Sequence, residues 1–199
     1  MLCLRGNARR ITVAAAALAA AVCLAAPAAS ADTTRTRAQT FAAQAAAAGL
    51  SASEATAVQA KVDRYIDQLG GTQTSANRIA FDSGQLIVAL PGEKHARDLG
   101  AAKSGMSIQS PSQCHYKFFC GWKGTYYTGD FWERAACNKY HEIPNGWNSG
   151  GSWWNNQTDG TVARMYNKSY RLVYQTPPAG QNSYDAVGDW GPVWYVKVC

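Results

Sequence analysis

Histidine, acid and cysteine side chains are the groups in this chain whose spacing could do chemistry. The stretch "HEIPN", beginning at His141, opens like a metallopeptidase helix that sets two histidines one turn apart on zinc. The second histidine is missing and Pro144 interrupts the helix that would align the pair. Asp130 and Glu133 lie close enough for the paired carboxylates of glycoside hydrolysis, but acids at that spacing read first as surface groups on a strand. No Gly-x-Ser-x-Gly elbow occurs, and His95 and His115 stand in no recognisable nucleophile arrangement. The residues point away from an enzyme and towards a binding protein.

Cysteine usage depends on compartment. The N-terminus carries Arg5, Arg9 and Arg10, then the apolar run "ITVAAAALAAAVCLAA", then Ala29-Ser30-Ala31 before Asp32, which is the order of an export signal with a small-residue cleavage site. Residues 1–31 therefore read as a signal peptide and the mature protein as secreted. The Ala-dominated run barely reaches the length of a membrane span, and Val22 and Ala20 fit a lipoprotein signal at Cys23 poorly. Cys114, Cys120, Cys137 and Cys199 remain in an oxidising compartment, at intervals of 6, 17 and 62 residues. With no C-x-x-C knuckle, two disulfides are the expected use rather than zinc. Three pairings are open, and the short interval favours Cys114 with Cys120, leaving Cys137 for Cys199.

The formal charge of the whole chain is +6, and removal of the three signal arginines leaves 16 basic against 13 acidic residues. Lys and Arg are spread singly, so there is no basic stripe for a nucleic-acid backbone. No other segment is long and apolar enough to cross a bilayer, and a monomer with no membrane attachment after signal cleavage is expected.

Two kinds of structure must position these groups. Residues 32–92 are Ala-rich and hold only Phe41, Tyr65 and Phe81 among the aromatics. "TFAAQAAAAG" reads as a short helix ending at Gly49. Ser51 with Glu54 forms a capping box ahead of the stripe Val58, Val62, Tyr65, Ile66 and Leu69, stopped by Gly70-Gly71. "NRIAF", "DSG" and "QLIVALPG" read as a β-hairpin with a three-residue turn, completing a small α+β helix-hairpin unit. Residues 93–111, with charge, Gly, Ser and Pro and no apolar period, read as a linker. Residues 112–199 hold all seven tryptophans and are punctuated by Gly, Asn, Ser and Pro between short apolar runs, the pattern of an all-β sandwich or barrel.

The densest aromatic stretch is "GWKGTYYTGDFWE", Gly121 to Glu133, where Trp122, Tyr127 and Gly129 follow the pattern aromatic-x4-aromatic-x-Gly. That pattern resembles a βγ-crystallin Greek-key motif. The order "CHYKFFCGWKGTYYTGDFW", "GSWWNNQTDGTVARMYN" and "VWYVKVC", preceded by "GGTQTSANRIAF" and "LIVALPGEKHARDL", is similar to the exported actinobacterial metalloprotease-inhibitor family of βγ-crystallin-like fold. The resemblance implies a Greek-key sandwich, with the first aromatic packed over a hairpin and Gly129 at positive φ, where glycine alone is comfortable. A second key would place Met165 and Tyr170 at the matching spacing, with Leu172 in the glycine position.

The resemblance also implies an extracellular metallopeptidase as partner and no catalytic residues. No motif names the inhibitory loop; the turn-rich segments Asn138–Gly151 and Thr176–Tyr184 are candidates. Calcium is a family feature, but "NSGGSW", Asn148 to Trp153, matches its loop only at Asn148 and Ser152 and offers no carboxylate, so no metal cofactor is expected. The alternatives are a carbohydrate- or cell-envelope-binding module using Trp153, Trp154, Trp190 and Trp194, and a structural βγ-crystallin-like protein without a protease target.

Overall fold

The second helix shows how the local signals act. In the computed structural model, which describes residues 28–100, 113–180 and 182–199, α2 spans Ala52–Leu69. Ser51 and Glu54 satisfy each other's backbone N–H groups at its start, and Gly70 (φ +71°) ends it. Val58, Val62 and Tyr65 are buried on one face, with Ile66 and Leu69 packed beside them. The preceding helix α1, Ala28–Ala47, begins well before Thr40, where the sequence placed it. Threonine costs a helix only a few tenths of a kcal/mol, about 0.7 at most, and Thr40 Oγ1 donates to Thr36 O, 2.9 Å away. Residues 1–27 (most of the expected signal peptide 1–31), the stretch 101–112 and Gln181 lie outside the described residues.

Among the described residues eleven strands follow: β1 Thr72–Ser75, β2 Arg78–Phe81, β3 Gly84–Ile87, β4 Phe118–Trp122, β5 Phe131–Arg134, β6 His141–Glu142, β7 Ser152–Asn156, β8 Arg164–Tyr166, β9 Leu172–Gln175, β10 Tyr184–Asp185 and β11 Tyr195–Lys197. They form two antiparallel sheets, in the orders β1-β2-β3-β5-β4-β7-β10 and β6-β11-β8-β9. The C-terminal part is all-β apart from a 3-10 turn at Thr125–Tyr127. Strands β4 to β7 and β8 to β11 make two equivalent sets: each sheet takes the first, second and fourth strand of one set and the third of the other. The register repeats as well. Trp122 faces Phe131, and Met165 and Tyr174, each 43 residues further on, face one another.

Composition changes sharply between 92 and 112, yet the large sheet crosses that boundary. Strand β3 pairs along its length with β5, from Gly84 opposite Arg134 to Ile87 opposite Phe131. The hairpin is tighter than expected, because Phe81 pairs directly with Gly84 and only Asp82 and Ser83 turn the chain. Gly84 (φ +146°) is needed there, since a Cβ would lie 1.9 Å from Glu133 O. The expected linker is also structured over its first eight residues. Asn77 donates to Arg97 O and Val88 O, Gly129 N donates to Lys94 O, and Ser75 and Arg78 both bind the Asp98 carboxylate. Polar bonds hold most of this strap and only Ala96 and Leu99 pack into the apolar clusters, which is why it carries no hydrophobic period.

The large sheet is consequently covered on both faces. One face, with Ile79, Leu86, Phe119, Trp132 and Trp153, packs against α2, Trp147, Trp190 and the small sheet's Met165 and Val196. The reverse face, with Ile87, Cys120, Trp122 and Phe131, packs against Ala96 and Cys114 under the strap. All four residues of β5 are buried, which accounts for its unbroken "FWER" where a solvated strand would alternate. Disulfides join Cys114 to Cys120 (Cα–Cα 5.8 Å) and Cys137 to Cys199 (4.9 Å). Among the described residues no helix is long and apolar enough to cross a membrane.

Candidate functional site

The acids singled out as surface groups are not on the surface. Asp130 is 1% exposed and accepts from Lys61 Nζ (2.8 Å), the Tyr65 hydroxyl (2.8 Å) and Ala89 N (2.9 Å). Glu133 is also buried, and accepts from Gln85 Nε2 (2.8 Å) while its oxygens lie 2.8 and 3.0 Å from His115 Nδ1. Three residues along a strand put the two carboxylates on opposite faces of the sheet, so they cannot act as a glycosidase pair. Burial and the neighbouring Asp130 push the Tyr65 hydroxyl well above its ordinary range. Both acids serve as internal acceptors, one tying α2 to the sheet and the other tying down the entry to β4.

The remaining titratable candidates are dispersed. His141 is buried, with Nε2 2.7 Å from Ala136 O, and burial lowers its pKa. Arg134, buried and lying 3.3 Å over the Phe81 ring, is lowered to about 10 for the same reason. Among the described residues no three His, Cys, Asp or Glu side chains gather in a metal-binding group. In the segment considered for calcium, Ser152 Oγ is committed internally, accepting from Tyr127 N (2.9 Å) and donating to Gly124 O (2.8 Å).

Trp122, Tyr127 and Gly129 come together. Trp122 is fully buried, the Tyr127 ring meets it edge-on at 5.1 Å, and the Trp122 carbonyl accepts from Trp190 Nε1 at 2.7 Å. Gly129 has φ +79°, and a Cβ there would press within 3.2 Å of Lys123 Cβ. In the second set Met165 is buried and Tyr170 turns at φ +58°, while Leu172 begins β9. Trp122, Tyr127, Gly129 and Met165 serve the packing of the fold. Of the four tryptophans proposed as a stacking row, Trp153 and Trp190 are buried, Trp154 is half-buried and only Trp194 is open to solvent.

Both candidate loops combine buried anchors with exposed residues. Asn138–Gly151 lies against α2: Gln68 donates to Ile143 O (3.0 Å) and accepts from Asn145 N (2.7 Å), and Trp147 is buried. Its Asn138, Tyr140, Glu142, Asn145 and Asn148 are nonetheless exposed, and Thr176–Tyr184 is the shorter of the two segments. Thr176, Ala179 and Ser183 are buried anchors, whereas Pro177, Pro178, Gly180, Asn182 and Tyr184 are exposed. Buried Asn155 supports the loop from below. Its Nδ2 donates to Thr161 O (2.8 Å) and Thr176 Oγ1 (3.2 Å), and its backbone N donates to Ser183 O (2.8 Å). Ser183 Oγ donates to Pro177 O (2.7 Å), and Ala179 N to Thr161 O (2.7 Å).

A surface that tryptophan counting missed lies on the outer side of the small sheet. Tyr140, Tyr166, Tyr170 and Tyr195 cluster there, with Tyr170 and Tyr195 stacked at 4.6 Å and Tyr140 edge-on to the other three. Their spacings in sequence are irregular because they come from β8, β11 and the turns beside them; only the pairing register gathers them. No family model, characterised protein or solved structure matches the chain.

Proposed function

We infer that the chain is an exported proteinaceous inhibitor of metallopeptidases, acting by insertion of the Thr176–Tyr184 loop into the target's cleft. The observation that carries this reading is the hold on that loop. Among the described residues, Pro177, Pro178, Gly180 and Asn182 are exposed between three buried anchors, and each anchor is hydrogen-bonded to Asn155, Thr161, Ala163 or Pro177. A loop fixed before binding loses little further entropy in a cleft, and it resists the local unfolding that proteolysis requires. Adjacent Pro177 and Pro178 add stiffness, and the Cys137–Cys199 bridge closes the domain on which the loop sits.

The peptidase class comes from the family resemblance. Two four-strand sets with the same exchange of third strands support that resemblance, since a βγ-crystallin-like domain is built from two Greek keys. The two disulfides support export. The test is inhibition of a thermolysin-type metallopeptidase by the full chain from Asp32 onward, with a serine peptidase as control. Inhibition of the metallopeptidase alone, weakened by Pro178→Gly, is the expected outcome. No effect on either enzyme at micromolar protein would favour a structural protein without a protease target.

A further inference from the structure

We propose that the outer face of the small sheet is a second binding surface, for an acidic polysaccharide carrying carboxylates on its sugar rings. The pairing register sets Glu142, Tyr195, Tyr166 and Leu172 in one row across β6, β11, β8 and β9, and Lys197, Arg164 and Gln175 in the next. Lys197 and Arg164 are thus like charges directly opposite one another, an arrangement that costs stability. Among the described residues neither pairs with a carboxylate; Arg164 Nε bonds only to Gln175 Oε1, at 3.1 Å. A cation pair held at a cost beside exposed rings is what an anionic ligand would relieve.

The rings supply the other half of the site. Tyr140 and Tyr170 are 42% and 54% exposed, and Lys197 Nζ lies 5.2 Å from the Tyr140 ring. Tyr195 also lines a cleft of about 280 Å³, together with Trp194, Asn145, Asn148 and Glu142. Trp194 is 46% exposed, with Lys168 Nζ 4.8 Å from its ring. The surface therefore runs from the tyrosine cluster into that cleft, with Lys197 and Arg164 at one end and Lys168 at the other. Among the described residues Glu142 is the one carboxylate on the cleft wall, to be avoided by an anionic ligand. Pyranose rings pack on aromatic faces, sugar hydroxyls match asparagine amides and tyrosine hydroxyls, and ring carboxylates match Arg164, Lys197 and Lys168. A polyol phosphate would bring charge but no ring to pack. A single-stranded nucleic acid is the competing polyanion, and its titration separates the two.

This surface is independent of the Thr176–Tyr184 loop, so it can hold whether or not the chain inhibits a peptidase. The test is calorimetric titration of the full chain from Asp32 with polygalacturonate, a neutral glucan and an oligothymidylate. Binding to polygalacturonate is expected, with loss of most affinity between about 0.15 M and about 1 M salt as screening shortens the reach of each charge. Tyr140→Ala and Lys197→Gln should each weaken it about tenfold, the loss of one ring contact or one charge contact, with thermal midpoints close to the parent's. Equal binding of the neutral glucan, tighter binding of the oligothymidylate, no binding of polygalacturonate at millimolar uronate, or unchanged affinity in both variants would each overturn the proposal.

Discussion

Replacing Asp130 by alanine should destabilise the protein more than any change confined to its surface. The carboxylate is 1% exposed and accepts three hydrogen bonds, from Lys61, Tyr65 and Ala89. Lys61 is 28% exposed, so water rehydrates most of its charge and that partner contributes about 1 kcal/mol or less. The Tyr65 hydroxyl and the Ala89 N–H stay behind in the interior, each left unpaired at about 1–3 kcal/mol. These contributions span about 2–7 kcal/mol, centred on the roughly 3–5 kcal/mol typical of breaking a buried charged pair, and the latter range is the one expected. In a chain of this size that lowers the thermal midpoint by roughly 6–20 °C. Calorimetry should show one transition, because the bonds join α2 to the sheet. Tyr65→Phe should lose about 1.5–3 kcal/mol, since one hydrogen bond to a charged acceptor goes and Trp147 Nε1 loses its 3.3 Å partner. Lys61→Met should lose about 1 kcal/mol or less. The reasoning fails if Lys61→Met costs as much as Asp130→Ala, or if Asp130→Ala lies within about 1 kcal/mol of the parent.

Three further outcomes can be measured. Asn155→Ala should raise the inhibition constant about tenfold or more, because the loop it supports must then be ordered on binding; an unchanged constant would place the contact elsewhere. His141 is held below its ordinary 6.5 by burial, so the unfolded chain takes up its proton first as pH falls. Its contribution is complete above that value and declines on acidification through it, and His141→Gln should flatten this limb of a denaturation-versus-pH curve; a slope unchanged by the substitution contradicts the assignment. Cutting the 62-residue Cys137–Cys199 loop, by Cys→Ala at both ends, should cost about 4 kcal/mol by closure entropy, against about 2 for the six-residue Cys114–Cys120 loop. Urea midpoints that reverse this order would show that strain or unfolded-state structure dominates.

Sequence alone revealed the parts whose signals are local. The Ser51–Glu54 box, the stripe from Val58 to Leu69, the short runs that became β4, β5, β7, β8, β9 and β11, and the bridge favoured by the Cys114–Cys120 interval all read directly. What stayed hidden depends on partners far along the chain. Strand β1, "TQTS", has no apolar residue and exists because β2 pairs with it. The burial of Asp130 depends on helix α2, 65 residues away at Tyr65, and nothing near Asp130 in sequence announces it. The strap at 93–100 is held by hydrogen bonds to Asn77 and Gly129, with only Ala96 and Leu99 in apolar contact, so it looked like a linker. For the candidate site, the turn-rich composition of Thr176–Tyr184 pointed to a loop, but the support from Asn155 required the fold. The tyrosine cluster required the register of three strands.

The central claim is that this rigid loop blocks a metallopeptidase, and its most direct test is a stoichiometric titration. A thermolysin-type metallopeptidase, held at a concentration well above the dissociation constant, is mixed with increasing amounts of the chain from Asp32 onward. Residual activity should fall linearly and reach zero at one molecule of protein per enzyme, with the chain recovered uncut. Activity that stays level past several equivalents, or a chain consumed as a substrate, would contradict the account.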